Sequence, residues 1–186
     1  MRVLIVGCGY VGRPLGAELA RQGHEVFGMR RSTLADAELQ AAGITPVHAD
    51  ITEPATLATL PPNLDWVVNC AASGGGGPDE YRQLYLHGNR HLLEHLAAAP
   101  PRMFVYTSST GVYGQNDGSL VTESSTTEPD SETAKVLVQA EQMLLGAART
   151  QTFPAVILRV AGIYGPERGY LLKQFLRHEA RIEGHG

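Results

Sequence analysis

The chain has 186 residues, of which 43% are hydrophobic and 18% are charged, and this balance is typical of one globular domain with a packed core. The formal net charge of −4 argues against a general nucleic-acid binder, which needs a basic face. No apolar run reaches the roughly 20 residues that span a bilayer. Two cysteines form neither a disulfide framework nor a zinc site of standard spacing, so we expect no metal. The first residues read as a strand rather than a signal peptide, and we expect a cytoplasmic protein.

The predicted elements alternate along the chain. Short apolar runs predict strands over residues 3–6, 25–29, 44–49, 64–70, 102–107 and 155–160. Helices are predicted from the first glycines up to Gly23, and then over residues 33–42, 79–98, 133–148 and 171–179. Strands that alternate with helices indicate parallel βαβ units. The sequence therefore predicts an α/β fold, a doubly wound parallel sheet of about six strands with helices on both faces, in a single domain over residues 1–186.

A glycine pattern, G-x-G-x-x-G, lies between the first strand and the first helix. Gly7 permits a tight turn, Gly9 lets the backbone approach a pyrophosphate, and Gly12 lets the helix pack closely on the strand. We expect Tyr10 and Val11, between these glycines, to line the same site. The helix N-terminus would then offer free N–H groups to phosphate. In this context the pattern predicts a Rossmann-type dinucleotide site; the alternative is a plain tight turn.

The end of the second strand indicates which nicotinamide cofactor is bound. An NAD-binding protein usually places an acidic residue there, to bind the ribose hydroxyls. This chain has Arg30, Arg31 and Ser32 instead. A guanidinium can hold a 2′-phosphate with two parallel hydrogen bonds. The pattern predicts NADP, with NAD as the less favoured cofactor; the alternative is a solvated basic turn.

Two residues after the third strand are also candidates for cofactor binding. Asp50, followed by Ile51, stands at the carboxyl end of that strand. Its carboxylate can accept a hydrogen bond from an adenine amino group, or it can cap the next helix. Both roles are compatible.

Four stretches together carry a family resemblance: the glycine turn, N-C-A-A at 69–72, S-S-T-G-V-Y-G at 108–114 and R-V-A-G-I-Y-G-P at 159–166. With them the chain resembles the extended and atypical short-chain dehydrogenases/reductases, that is, the NAD(P)-dependent epimerases and dehydratases. The resemblance implies a small hydroxyl or carbonyl substrate, with nucleotide sugars among the candidates. It also implies that Ala71, Ala72 and Ser73 line the cofactor and that Ser109 donates a catalytic hydrogen bond.

The resemblance is incomplete at the catalytic Tyr-x-x-x-Lys pair. Lys135 stands at the lysine position, where it would bind ribose, but Ser131 replaces the tyrosine. A serine hydroxyl is far less acidic than a phenol, whose pKa is about 10. Tyr85 stands where extended members often keep an asparagine. Two functions therefore remain open: an enzyme with a degraded motif, or a non-catalytic NADP-binding or cofactor-sensing module.

Extended members of the family are commonly longer, with a C-terminal part that covers the substrate. We therefore expect the substrate-binding part to be largely absent from these 186 residues. The sixth strand would then expose a hydrophobic edge, which invites pairing with a second copy as a homodimer, or aggregation.

Overall fold

Six parallel strands form one sheet in the computed structural model, which describes residues 1–150, 153–166 and 168–179. The strands are β1 (Arg2–Val6), β2 (Glu25–Arg30), β3 (Ile44–His48), β4 (Trp66–Asn69), β5 (Met103–Ser109) and β6 (Ala155–Val160). Their order across the sheet is β3-β2-β1-β4-β5-β6, and every neighbouring pair is parallel. The predicted Rossmann-type sheet is confirmed.

Helices connect the strands. They are α1 (Gly12–Arg21), α2 (Asp36–Ala41), α3 (Pro78–Tyr81), α4 (Gly88–Leu96), α5 (Glu132–Thr150) and α6 (Tyr170–Leu176). A π-helical turn over Arg82–His87 joins α3 to α4, so the single helix predicted over 79–98 has three parts. The extra residue of a π turn rotates the side chains that follow, and such turns often occur at functional sites.

Both faces of the central strand β1 are buried. On one face Ile5 packs with Leu39 of α2, and on the other Leu4 belongs to the cluster that contains Leu92 of α4 and Leu144 of α5. All five of these side chains are fully buried. A continuous apolar run such as V-L-I-V suits a strand that is covered on both sides.

The direction of the chain across the sheet changes at β1. This strand pairs with β2 on one side and with β4 on the other. In open α/β sheets, ligands bind in the crevice outside the carboxyl ends of the strands, at this reversal. The glycine turn directly follows β1 and therefore lies in that crevice.

Strand β6 lies at the edge of the sheet and pairs with β5. Its side chains Val156 and Leu158 are 40% and 47% exposed. The homodimer that this edge suggests stays a prediction. The loop expected over residues 181–186 lies outside the described residues.

Candidate cofactor site

A groove of about 990 Å³ runs along the carboxyl ends of the central strands. The sequence-predicted residues that line it are Gly7, Gly9, Tyr10, Val11, Arg30, Arg31, Ser32, Asp50, Ile51, Ala71, Ala72 and Ser73. The fold thus brings together residues from the ends of four strands. Of the predicted cofactor set, Gly12 and Lys135 do not line it.

The glycine turn is held in place on both sides. The amides of Gly7 and Cys8 donate to the carbonyl of Met29 on β2, at 3.2 and 3.0 Å. Gly7 has a φ of +72°, and a Cβ there would lie 2.5 Å from the Cα of Ala71. A side chain at this position is therefore excluded both by backbone conformation and by space.

The other two glycines of the turn differ in what surrounds them. A Cβ on Gly12 would lie 2.7 Å from Cγ2 of Ile5, so α1 packs directly on β1. A Cβ on Gly9 would meet only the carbonyl oxygen of Gly7, at 3.8 Å. Packing within the protein thus requires Gly12 to be a glycine but does not require it of Gly9. Gly9 leaves open space in the groove, which fits the close approach of a ligand.

The N-terminus of α1 lies beside the groove, which the preceding residue Val11 lines. Val11 provides no side-chain cap, and the first turn of the helix carries no acidic residue. The amide of Arg13 is bonded to the carbonyl of Gly9 and Pro14 has no N–H, so it is mainly the positive end of the helix dipole that favours an anion here. The residues present therefore fit the pyrophosphate of a dinucleotide.

Two arginines lie at the end of β2, where the ribose of a bound dinucleotide would face the protein. Arg30 is half-buried, and its Nη1 lies 3.4 Å from the carbonyl oxygen of Cys8. The side chain of Arg31 is 78% exposed, and its Nη1 lies 3.8 Å from Oδ2 of Asp50. Ser32 accepts a hydrogen bond from the amide of Leu34 and begins the next turn. The site therefore presents two cations, the exposed guanidinium of Arg31 and the half-buried guanidinium of Arg30.

Asp50 and Ile51 form the wall opposite the glycine turn. Oδ1 of Asp50 accepts from the amide and the hydroxyl of Thr52, at 2.9 and 2.8 Å, so the carboxylate caps its own turn. Ile51 is 3% exposed, and a Cβ on Gly88 of α4 would lie 2.7 Å from its Cδ1. Asp50 retains Oδ2 for Arg31 or for a ligand.

A buried amide network supports the segment after β4. Asn69 accepts from the amide of Ala71 at 3.0 Å and donates to Oδ1 of Asn89 at 2.9 Å. The amide of Ser73 donates to the hydroxyl of Tyr85 at 3.0 Å. Burial raises the pKa of Tyr85 above 10, so its hydroxyl stays protonated and can donate into the groove. The π turn presents Tyr85, which sequence reasoning noted only as a replaced asparagine.

The three predicted catalytic residues, Ser109, Ser131 and Lys135, each have different local partners. Ser109 is half-buried at the end of β5, and its hydroxyl accepts from the amide of Gly111 at 3.1 Å. Ser131 accepts from the amide of Ala134 at 3.2 Å and caps α5. Nζ of Lys135 lies 2.6 Å from Oε1 of the exposed Glu132, which raises the pKa of the lysine.

Lys135 lines a separate, shallow depression with Thr127, Glu128 and Gln139, rather than the groove. The structure therefore does not bring Ser131 and Lys135 to the cofactor groove, and Lys135 instead pairs with the exposed Glu132 on α5. Their catalytic roles stay predictions.

Comparison with known proteins agrees with this geometry. The sequence matches the NAD dependent epimerase/dehydratase family over residues 3–180. The chain belongs to this family. This match confirms the predicted family resemblance. The family is NAD dependent, and its members that resemble this chain include a dehydrogenase and an epimerase.

The relatives are longer than this chain. Protein YeeZ of Escherichia coli K12 is 30% identical over 174 residues, which are 90% of this chain and 60% of YeeZ. The dTDP-6-deoxy-L-talose 4-dehydrogenase (NAD(P)(+)) of Kitasatospora kifunensis is 31% identical over 172 residues, 88% of this chain and 53% of that protein. The chain thus spans little more than half the length of these curated relatives.

A solved structure supports the fold and the cofactor class. The UDP-glucuronic acid 4-epimerase of Bacillus cereus, in complex with NAD, superposes with a TM-score of 0.76 and 25% identity. The match covers 95% of this chain and 64% of that one.

Sequence reasoning missed a buried ionic network behind the groove of this epimerase/dehydratase family member. Glu141 of α5 is 2% exposed and accepts from the hydroxyl of Ser108 at 2.5 Å and from Arg159 of β6 at 2.7 Å. Arg159 also donates to the hydroxyl of Tyr113 at 2.9 Å, which in turn donates to the carbonyl of Thr122. The available signal was Arg159, the one charged residue within the otherwise apolar strand β6.

The described residues contain neither a metal-binding cluster nor a membrane-spanning helix. Among residues 1–150, 153–166 and 168–179, no three His, Cys, Asp or Glu side chains are grouped so as to hold a metal ion. None of the described helices is long and apolar enough to cross a membrane.

Proposed function

We propose that this chain binds NADP in the groove and is an oxidoreductase or epimerase for a small molecule with a hydroxyl or carbonyl group. The observation that carries the proposal is the juxtaposition of the open glycine turn with Arg30 and Arg31 across one groove. The glycine turn suits the pyrophosphate, and the arginines suit a 2′-phosphate on the adjoining ribose.

The local charges support NADP over NAD. Arg31 is exposed and faces Asp50 at 3.8 Å, which is too long for a strong ion pair. A dianionic 2′-phosphate offers the guanidinium a better partner than a single carboxylate oxygen. The two relatives' names include NAD(P) and NAD, so the family accommodates either cofactor.

A nucleotide sugar is the substrate class that we propose. The talose dehydrogenase and the glucuronic acid epimerase are both named for sugars linked to a nucleoside diphosphate. When bound, the nicotinamide supplies a hydride donor or acceptor. Ser109 ends β5 directly after Thr107 and Ser108, which line the groove, and it would donate a hydrogen bond to the reacting oxygen. Tyr85, which lines the groove itself, would add a second donor from the π turn.

A second candidate function is a non-catalytic NADP-binding module. Ser131 caps a helix, and Lys135 pairs with Glu132 outside the groove, so no Tyr–Lys pair stands beside the cofactor in the described residues. A protein of this kind would bind NADP and report it to a partner rather than turn over substrate.

Turnover separates the two candidates. The purified chain is mixed with NADPH and a panel of dTDP- and UDP-linked keto sugars and simple carbonyl compounds, and the loss of nicotinamide absorbance is followed. The enzyme proposal predicts oxidation of NADPH that Ser109→Ala lowers by about 100-fold, in the range for a lost catalytic hydrogen bond. NADPH binding without turnover on the whole panel favours the module.

A further inference from the structure

The segment that follows β6 folds back over the glycine turn. Gly165 and Arg168 exchange backbone hydrogen bonds of 2.9 and 3.0 Å and so form a tight loop. The hydroxyl of Tyr10 donates to the carbonyl of Pro166 at 3.0 Å. A Cβ on Gly165 would press on that hydroxyl, so glycine there lets the loop approach Tyr10 without displacing its side chain.

The loop places a cation at the mouth of the groove. Cζ of Arg168 lies 4.2 Å from the centroid of the Tyr10 ring, within the range of a cation–π contact. Both residues line the groove. In the described part of the chain no carboxylate lies within salt-bridge distance of this guanidinium. Stacking on a ring leaves the N–H groups at the edge of the guanidinium available for a ligand.

The position of Tyr10 indicates which ligand group the cation would meet. Tyr10 directly follows Gly9, the residue whose open face lets a ligand approach the backbone. Arg168 therefore reaches the glycine turn from the side opposite to Arg30 and Arg31, which come from β2. A diphosphate on the turn would lie between the N-terminus of α1 and Arg168, so that one phosphate meets the helix dipole while two oxygens of the other meet the guanidinium fork.

We propose that Arg168, held on the ring of Tyr10, binds the diphosphate of the nucleotide that occupies the groove. The proposal rests on the proposed function in one respect, that the groove is a nucleotide site. It adds to the nucleotide site a phosphate-binding residue, Arg168, that lies 158 residues after Tyr10 in the chain and outside the glycine motif. The diphosphate belongs either to the dinucleotide or to a nucleotide-linked substrate.

The test compares nucleotides that differ by one phosphate. The whole chain is titrated calorimetrically with AMP, ADP, UMP and UDP, before and after Arg168→Gln. We expect the variant to lose about tenfold in affinity for a diphosphate and much less for its monophosphate, since it removes a hydrogen bond between two charged groups. Loss on the ADP arm assigns the cation to the dinucleotide, and loss on the UDP arm assigns it to the substrate. Unchanged preferences for both diphosphates overturn the proposal.

Three variants serve as controls. Arg177→Gln removes an exposed arginine near the end of α6 that does not line the groove, and it should change none of the affinities. Tyr10→Leu removes the ring and should reproduce the loss, whereas Tyr10→Phe keeps the ring and should lose less. Thermal unfolding of each variant shows whether it is folded. A ³¹P chemical shift of the β-phosphorus that moves with Arg168→Gln would report the contact without any turnover.

The same titrations distinguish failure of this inference from failure of the proposed function. Adenosine 2′,5′-bisphosphate carries a 2′-phosphate but no diphosphate, so its binding tests the proposed contact of Arg31 with the 2′-phosphate separately from Arg168. Binding of ADP and UDP by the wild type that in both cases is unchanged by Arg168→Gln overturns the diphosphate contact alone. Absence of binding by every nucleotide overturns both.

Discussion

Glu141 and Arg159 form an ion pair of 2.7 Å whose two side chains are 2% and 18% exposed. The pair joins α5 to β6, and through Ser108 it also reaches β5. It therefore holds together the strand ends that carry Ser109 and the segment leading to Arg168.

Glu141→Ala should cost about 3–5 kcal/mol of unfolding free energy, because it leaves a buried guanidinium without its counter-ion. Urea denaturation of the wild type and of Glu141→Ala measures the difference in their unfolding free energies. Glu132→Ala is the matched control: it breaks the ion pair with Lys135, in which the lysine is 49% and the glutamate 67% exposed, and it should cost far less than Glu141→Ala. Equal costs for the two variants would contradict the role given to the buried pair.

Substitutions in the glycine turn should separate folding from ligand binding. Gly7→Ala should destabilise the fold by more than about 1 kcal/mol, since it combines a positive φ with a clash against Ala71. Gly9→Ala should leave thermal stability nearly unchanged yet weaken NADPH binding by about tenfold or more, because its Cβ would project into the groove. Gly146→Ala, which meets nothing within 4 Å, is the control for binding. A Gly9→Ala protein that binds NADPH normally would count against the proposed position of the pyrophosphate.

The stability contributed by Cys8 should depend on alkaline pH. Burial raises the pKa of this thiol from 9.0 to about 11. Because the pKa is higher in the folded state, the contribution is complete below pH 9 and is lost as pH rises towards 11. The unfolding free energy of the wild type minus that of Cys8→Ala should thus be constant from pH 7 to 9 and then decrease. A difference that stays constant up to pH 11 would show that the thiol titrates normally.

Lys135→Ala should leave NADPH affinity within about twofold of the wild type. The lysine pairs with Glu132 on the outer surface of α5 and does not reach the groove, and an exposed pair is worth little. Fluorescence titration with NADPH is sufficient. A tenfold loss would instead place Lys135 on the ribose, as the family resemblance implies.

Local patterns in the sequence were sufficient to predict the sheet. The apolar run before Gly7 and the glycines after it specify a buried strand, a tight turn and a helix within a few residues of one another. Strand and helix alternation then predicts the winding of the sheet, since crossovers of parallel strands have one hand. For the same reason the residues at the strand ends, such as Arg31 and Asp50, could be expected to meet.

The relationships that the sequence did not reveal join distant positions. Arg168 meets Tyr10 only because the loop after β6 returns to the first strand. Glu141 and Arg159 belong to different elements, and neither carries a local motif. The π turn over Arg82–His87 interrupts what the sequence predicts as one continuous helix, because periodicity alone does not describe such a turn.

The relative affinity of the purified chain for NADPH and NADH tests the central claim most directly. Calorimetric titration should show NADPH bound at least tenfold more tightly than NADH, and Arg31→Gln should remove most of that preference. Arg102→Gln, which lies at the amino end of β5 and so at the end of the strands away from the groove, should leave the preference intact. Equal affinity for the two cofactors, or tighter binding of NADH, would contradict the assignment of this groove to NADP.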